Sequence, residues 1–158
     1  SRTINVQDQI CYNLESFTAA LLDKDYIKYL IFEHNQLIGF GLATKAIEKC
    51  NIAYAQPSYF INRHPGYTRH NLLWYVTAIA VLPEKQAQKA GLFLLQTMIK
   101  HAYENKAIIA FDFAGSTTFL PVLIKWAGKS IGVPIRGEKI DTQTYFELTC
   151  PHYDEPEE

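Results

Sequence analysis

The spacing of apolar positions changes several times along this chain, and each change marks an element. Residues 7–22, QDQICYNLESFTAALL, place Ile10, Leu14, Phe17 and Leu21 at intervals of three and four, which predicts an amphipathic helix. Residues 27–34 and 37–46, rich in β-branched and aromatic side chains, predict two strands joined by a tight turn at Asn35-Gln36. Pro57, Asn62, Pro65 and Gly66 interrupt residues 49–71 and predict an irregular connection. Residues 72–82, LLWYVTAIAVL, form an almost continuous apolar run that suits a central strand buried on both faces and stopped by Pro83. Residues 86–104 carry the clearest helical pattern, with Gly91, Leu94, Leu95, Met98 and Ala102 on one face. Residues 107–113, AIIAFDF, predict another buried strand. Gly115-Ser116-Thr117 then offers a turn and an N-cap for a helix near 118–129, with Pro121 in its first turn. Residues 133–150 predict a hairpin turning near 139–143. Two antiparallel strands, then strand, helix, strand, helix and hairpin, describe a mixed α/β sheet with helices on its faces.

Composition narrows the classes of function. At 158 residues and 48% hydrophobic, the chain suits one domain, here residues 1–150, followed by an acidic tail at 151–158. The net charge of −1 excludes a protein dominated by nucleic-acid or membrane electrostatics. That total hides a division. Asp154, Glu155, Glu157 and Glu158 crowd the end, whereas no acid lies between Glu48 and Glu84, a stretch holding Lys49, Arg63, His64, Arg69 and His70. Cys11, Cys50 and Cys150 are widely spaced, without C-x-x-C; they read as free thiols of a reducing, cytoplasmic compartment rather than a disulfide or zinc framework. His64 and His70 lack further ligands at metal-binding spacing, so no metal is expected. The run at 72–82 is far shorter than the roughly 20 residues a membrane-spanning helix needs.

The segment Val81-Leu-Pro-Glu-Lys-Gln-Ala-Gln-Lys-Ala-Gly91-Leu-Phe-Leu-Leu95 carries the candidate chemistry. A buried strand runs into a small-residue loop and then a long helix. Such a loop presents backbone N–H groups at a positive helix terminus, a natural place for a pyrophosphate. Many strand-to-helix loops bind nothing, so this geometry alone leaves both readings open. The segment resembles the GNAT superfamily of N-acetyltransferases, whose acetyl-CoA motif Gln/Arg-x-x-Gly-x-Gly/Ala follows a strand ending in Val-x-Pro. Val81, Pro83, Gln86 and Gly91 match, Leu94-Leu95 continue the match, and Lys89 stands where the first glycine is usual. In element order the resemblance spans about residues 7–150; only Ser1–Val6 precede the opening helix, so the family's first strand is expected to be very short, absent, or outside this sequence.

This resemblance implies a GNAT fold, a mixed twisted sheet flanked by helices, acting as an acyl-CoA-dependent N-acyltransferase by direct amine attack in a ternary complex. It implies acetyl-CoA or another acyl-CoA as co-substrate. The strand edge at Ile79, Ala80 and Val81 would hold it, with the loop Gln86, Ala87, Gln88, Lys89, Ala90, Gly91 and Leu92, and with Ser116 near the family's usual capping asparagine. A backbone N–H near Ala80 or Val81 would hold the developing oxyanion. The family's helix tyrosine, which protonates the leaving thiolate, has no counterpart; its position falls near Leu123 or Ile124. No carboxylate lies on strand 72–82, which leaves Asp112 as the one acid of the two central strands: either a base at the cleft or a polar residue satisfied by a neighbour. Tyr75 is either a residue that orients a water or part of the core.

In the resembled fold the connection at 49–71 borders the acceptor cleft. Tyr59, Arg63, His64 and Arg69 would then recognise a small-molecule or protein amine, including one bearing an anionic group. The opposing reading is an ordered surface loop with solvated bases. A homodimer is compatible with the sequence, and nucleic acid or a membrane is not the expected partner. The rival function is a catalytically degenerate GNAT domain serving as a CoA-binding or partner-binding module.

Overall fold

The computed structural model describes residues 13–50, 56–86, 89–113 and 118–141. Helix α1 (Leu14–Leu22) begins where the Asn13 side chain accepts the Ser16 N–H at 2.8 Å. Strands β1 (Tyr26–Glu33) and β2 (Gln36–Thr44) pair antiparallel. Their turn is His34-Asn35, one residue earlier than expected, and both residues have positive φ (48° and 64°). A two-residue hairpin loop needs that backbone to match the strand twist, and asparagine tolerates it well.

Residues 56–71 are not irregular; 51–55 lie outside the described residues. After a 3₁₀ turn at Ile47–Lys49, the chain forms α2 (Pro57–Arg63) and α3 (Pro65–Arg69). Each proline starts a helix rather than breaking one, because the first turn has no use for the missing N–H. Strand β3 (Leu73–Val81) pairs antiparallel with β2 and parallel with the short β4 (Ile108–Ala110), giving a sheet of order β1-β2-β3-β4. Between β3 and β4 run α4 (Pro83–Gln86) and α5 (Ala90–Glu104), and α6 (Leu120–Ser130) follows β4. The expected single helix over 86–104 therefore starts at Ala90.

Helix α5 covers one face of the sheet. Ala90, Leu94, Met98 and Ala102, four residues apart, meet Tyr29, Ile31, Ile38 and Trp74. The opposite face carries two smaller clusters, Ala20 of α1 with Tyr26 and Leu42, and Phe60 of α2 with Ile47, Leu73 and Tyr75. The stripe expected on the first helix is turned differently. Phe17 and Ala20 make the contacts, with Tyr26, Phe40, Leu42 and Ala78 of the sheet, while Leu14 and Leu21 are exposed. Ile10 lies outside the described residues.

Within the α5 face, the buried Tyr29 hydroxyl meets His101 Nδ1 at 2.9 Å. Burial pushes the Tyr29 pKa up to about 12, because the phenolate would lose its hydration. The folded chain thus holds this proton more tightly than the unfolded chain. Its contribution to stability is complete below pH 10 and is lost as pH rises from 10 to about 12. Urea midpoints measured across that window should fall for the parent chain and fall less for Tyr29→Phe.

Candidate functional site

The site is organised by the way β3 ends. Leu73, Trp74 and Tyr75 pair with Ile108, Ile109 and Ala110, and the described β3–β4 ladder stops there. On the other edge, Ala43 faces Val76 and Leu42 faces Ala78, so Thr77 has no opposite residue in β2. Such a bulge bends and twists its strand. Beyond it Ile79 (45% exposed) and Ala80 are solvent-accessible, although the apolar run predicts burial on both faces. Only the first three residues of β3 are fully buried, and β4 is three residues long and half-buried rather than a seven-residue buried strand.

Among the described residues no strand pairs with the β4 side of β3 beyond Tyr75, and this end of the strand leads into the loop. Leu82 N–H donates to Ile38 C=O at 2.9 Å, extending the β2 contact to the start of α4, and Lys85 pairs with Glu33 of the hairpin. That ion pair holds the Glu33 carboxyl below its ordinary range. Ala87, Gln88 and Ser116 lie outside the described residues. Lys89 is the N-cap of α5 with a left-handed backbone (φ 64°), which gives a physical reason for glycine being usual at this motif position. The first-turn N–H groups at Ala90, Gly91 and Leu92 have no partners within the helix, as at any α-helix start. Gly91 has no positive φ, and among the described residues a Cβ placed there would meet only Val81 Cγ2, at 3.9 Å. Neither the backbone nor packing against the described residues requires glycine at 91. A small residue there leaves room outside the fold, so these residues fit a phosphate-bearing ligand lying along the β3 edge.

The two catalytic candidates come together. Tyr75, 3% exposed and packed against Phe60, donates its hydroxyl to Asp112 Oδ1 at 2.7 Å. They are 37 residues apart, and the parallel pairing of Tyr75 with Ala110 puts them side by side. The acceptor-wall candidates are not a free basic surface. Arg63 forms a 3.0 Å ion pair with Glu138 and also interacts with Tyr59, which together raise its pKa. His64 stands edge-on to Tyr67, and Lys49 is bound back to Asp23 and Asp25. Arg69 is exposed near the end of α3. The sequence reading missed Glu138; no local pattern marks it, since it acquires its role from Arg63, a partner distant in the chain.

Helix α6 has Phe119 at its N-cap and no side-chain cap; the expected cap at 115–117 lies outside the described residues. Pro121 does lie in the first turn. Residues 133–141, the described part of the expected 133–150 hairpin, contain no strand; 142–150 lie outside the described residues. Among the described residues no group of His, Cys, Asp and Glu could hold a metal ion, and no helix is long and apolar enough to cross a membrane.

No protein-family profile and no curated protein matches the chain by sequence. Solved structures do match its fold. An aminoglycoside acetyltransferase from an uncultured soil metagenomic sample, in complex with trehalose, aligns with TM-score 0.53 at 13% identity, covering 88% of this chain and 76% of that one. The ribosomal-protein-S18-alanine N-acetyltransferase of Escherichia coli aligns with TM-score 0.52 at 14% identity, covering 74% of this chain and 60% of that one. An aminoglycoside N-acetyltransferase in complex with CoA gives TM-score 0.51 at 14% identity, covering 87% and 86%. With its open β3 edge and its strand–loop–helix turn, this chain has the GNAT fold of the N-acetyltransferases.

Proposed function

We propose that the chain is an acyl-CoA-dependent N-acyltransferase, transferring an acetyl group to a small-molecule or protein amine. The observation that carries this reading is Gly91. It sits in the first turn of α5 beside an open strand edge, and the fold itself has no need of a glycine there. Bound acyl-CoA supplies the activated acyl carbon and its thiolate leaving group. The α5 N-terminus and Lys89 take the pyrophosphate, and the Ile79–Val81 backbone aligns the pantetheine arm. An N–H of Ala80 or Val81 holds negative charge on the acyl oxygen. Asp112, oriented by Tyr75, takes the proton of the incoming ammonium, and Tyr59, Arg63, His64 and Arg69 wall the acceptor.

Acetyl-CoA at millimolar concentration should raise the melting temperature by binding linkage, and thiol release with a panel of amines should follow. Asp112→Asn should lower kcat by about a hundredfold while leaving acetyl-CoA stabilisation intact; unchanged turnover would remove the carboxylate from the reaction. The absence of tyrosine from α6 favours a second reading, a CoA-binding module without catalysis. Stabilisation by acetyl-CoA with no thiol release from any amine would establish it.

Lys89 gives a separate test. A non-glycine residue in the left-handed region costs about 1–3 kcal/mol. Lys89→Gly should raise stability by about 1 kcal/mol in urea unfolding. The same change should weaken acetyl-CoA binding, because it removes the ammonium.

A further inference from the structure

We propose that α6, with the segment folded against it, is a docking surface for an acidic amphipathic segment of a partner protein. Helix α6 buries Ala127 and Gly128. Its other side carries Phe119, Val122 and Trp126, which are 63%, 69% and 52% exposed and spaced as one helical stripe. Lys125 and Lys129 flank the stripe one turn apart, both exposed, and neither joins an ion pair among the described residues. Like charges at that spacing destabilise a helix, so the pair works against α6 until an anion arrives. Residues 113–137 contain three bases and no acid, so the surrounding sequence supplies no counter-charge.

Beside the lysines lies an open groove of about 350 Å³, closed on its far side by Gly132, Val133, Pro134 and Ile135. That wall is fixed. Gly132 takes φ 72° to end the helix, and Val133 N–H donates to Gly128 C=O at 3.0 Å. Ile135 then fills the place of a Gly128 side chain, since a Cβ there would lie 2.1 Å from Ile135 Cδ1. A preformed groove needs little ordering when it binds. Lys125 and Lys129 line the groove and flank the apolar stripe, and two ammonium groups so placed complement carboxylates beside apolar anchors, the pattern of an amphipathic helix laid along α6 with Trp126 of the stripe as the aromatic anchor. A nucleic-acid backbone would leave that apolar stripe unmatched.

The test uses the full chain and two fluorescein-labelled helical peptides, one built of Leu and Glu and its charge-swapped counterpart of Leu and Lys, followed by anisotropy. The Leu/Glu peptide should bind saturably and the Leu/Lys peptide should not. Lys125→Glu combined with Lys129→Glu should weaken the Leu/Glu peptide about tenfold and admit the Leu/Lys peptide. Trp126→Ala should weaken binding by a similar factor, about tenfold. Lys106→Glu, an exposed charge on the α5–β4 turn, serves as the control and should change nothing. Unaltered melting temperatures keep these comparisons among folded chains. Affinity unmoved by the double reversal would overturn the proposal. Phosphatidylserine vesicles binding with the same Lys and Trp dependence would assign the surface to a lipid instead. Concentration-dependent dimerisation abolished by Trp126→Ala would assign it to a second copy.

Discussion

Gly91→Val should weaken acetyl-CoA binding at least about tenfold while leaving the melting temperature of the free chain unchanged or slightly higher. The two effects separate because they arise on different sides of the residue. Inward, a new Cβ finds Val81 Cγ2 at 3.9 Å, an ordinary contact, and helix propensity favours valine over glycine by a few tenths of a kcal/mol. Outward, the branched side chain stands over the first-turn N–H groups that the proposed pyrophosphate must approach. Ligand-induced melting shifts compared with free-chain urea unfolding give both halves. A variant that binds acetyl-CoA as the parent does would show that the α5 N-terminus is not the phosphate site.

Leu94→Ala should cost about 3 kcal/mol, within the usual 2–5 kcal/mol for a buried leucine, and lower the melting temperature by roughly 5–15 °C. Leu94 is 1% exposed at the centre of the α5 face. It packs over Gly41, where a Cβ would make ordinary contact with Leu94 Cδ1 at 3.5 Å and a tight one with Met98 Sδ at 3.2 Å. Met98 is flexible enough to fill part of the cavity, which places the expected cost in the lower half of the range. Since α5 carries the loop, acetyl-CoA affinity should fall as well. A loss below about 1 kcal/mol in urea unfolding would mean that α5 is not what holds the sheet's covered face.

The sequence reading succeeded where a single element supplies its own evidence. The four-residue recurrence of Ala90, Leu94, Met98 and Ala102 needs no partner to be read as a buried helix face. The alternation in 27–46 likewise yields two strands and a tight turn, misplaced by one residue because Asn35 fits either site of a turn pair. It failed where local rules compete. Pro57 and Pro65 serve as breakers or helix starters according to what precedes them. Helices α2 and α3, of seven and five residues, are too short to be stable alone, and α2 is held by Phe60 packing against Tyr75.

The candidate site divides in the same way. Val81, Pro83, Gln86 and Gly91 are contiguous enough to be recognised as a motif from sequence. The chemistry around them depends on pairing between distant segments. Parallel registry of β3 with β4 brings Asp112 to Tyr75, and the fold brings Glu138 to Arg63, lending the basic segment a counter-charge that the absence of acids from 49–71 concealed.

The sequence by itself determined the α/β class, the strand–loop–helix motif and the helix that supports it, because each follows from the periodicity and residue types of one stretch. Only the tertiary structure decided that the end of β3 is solvent-accessible and, among the described residues, that Gly91 is dispensable to packing and which charges remain unpaired. Those properties depend on where strands lose register and on which side chains meet across the sheet. A one-residue bulge at Thr77 and a three-residue β4 expose an apolar strand end that composition alone assigns to the core.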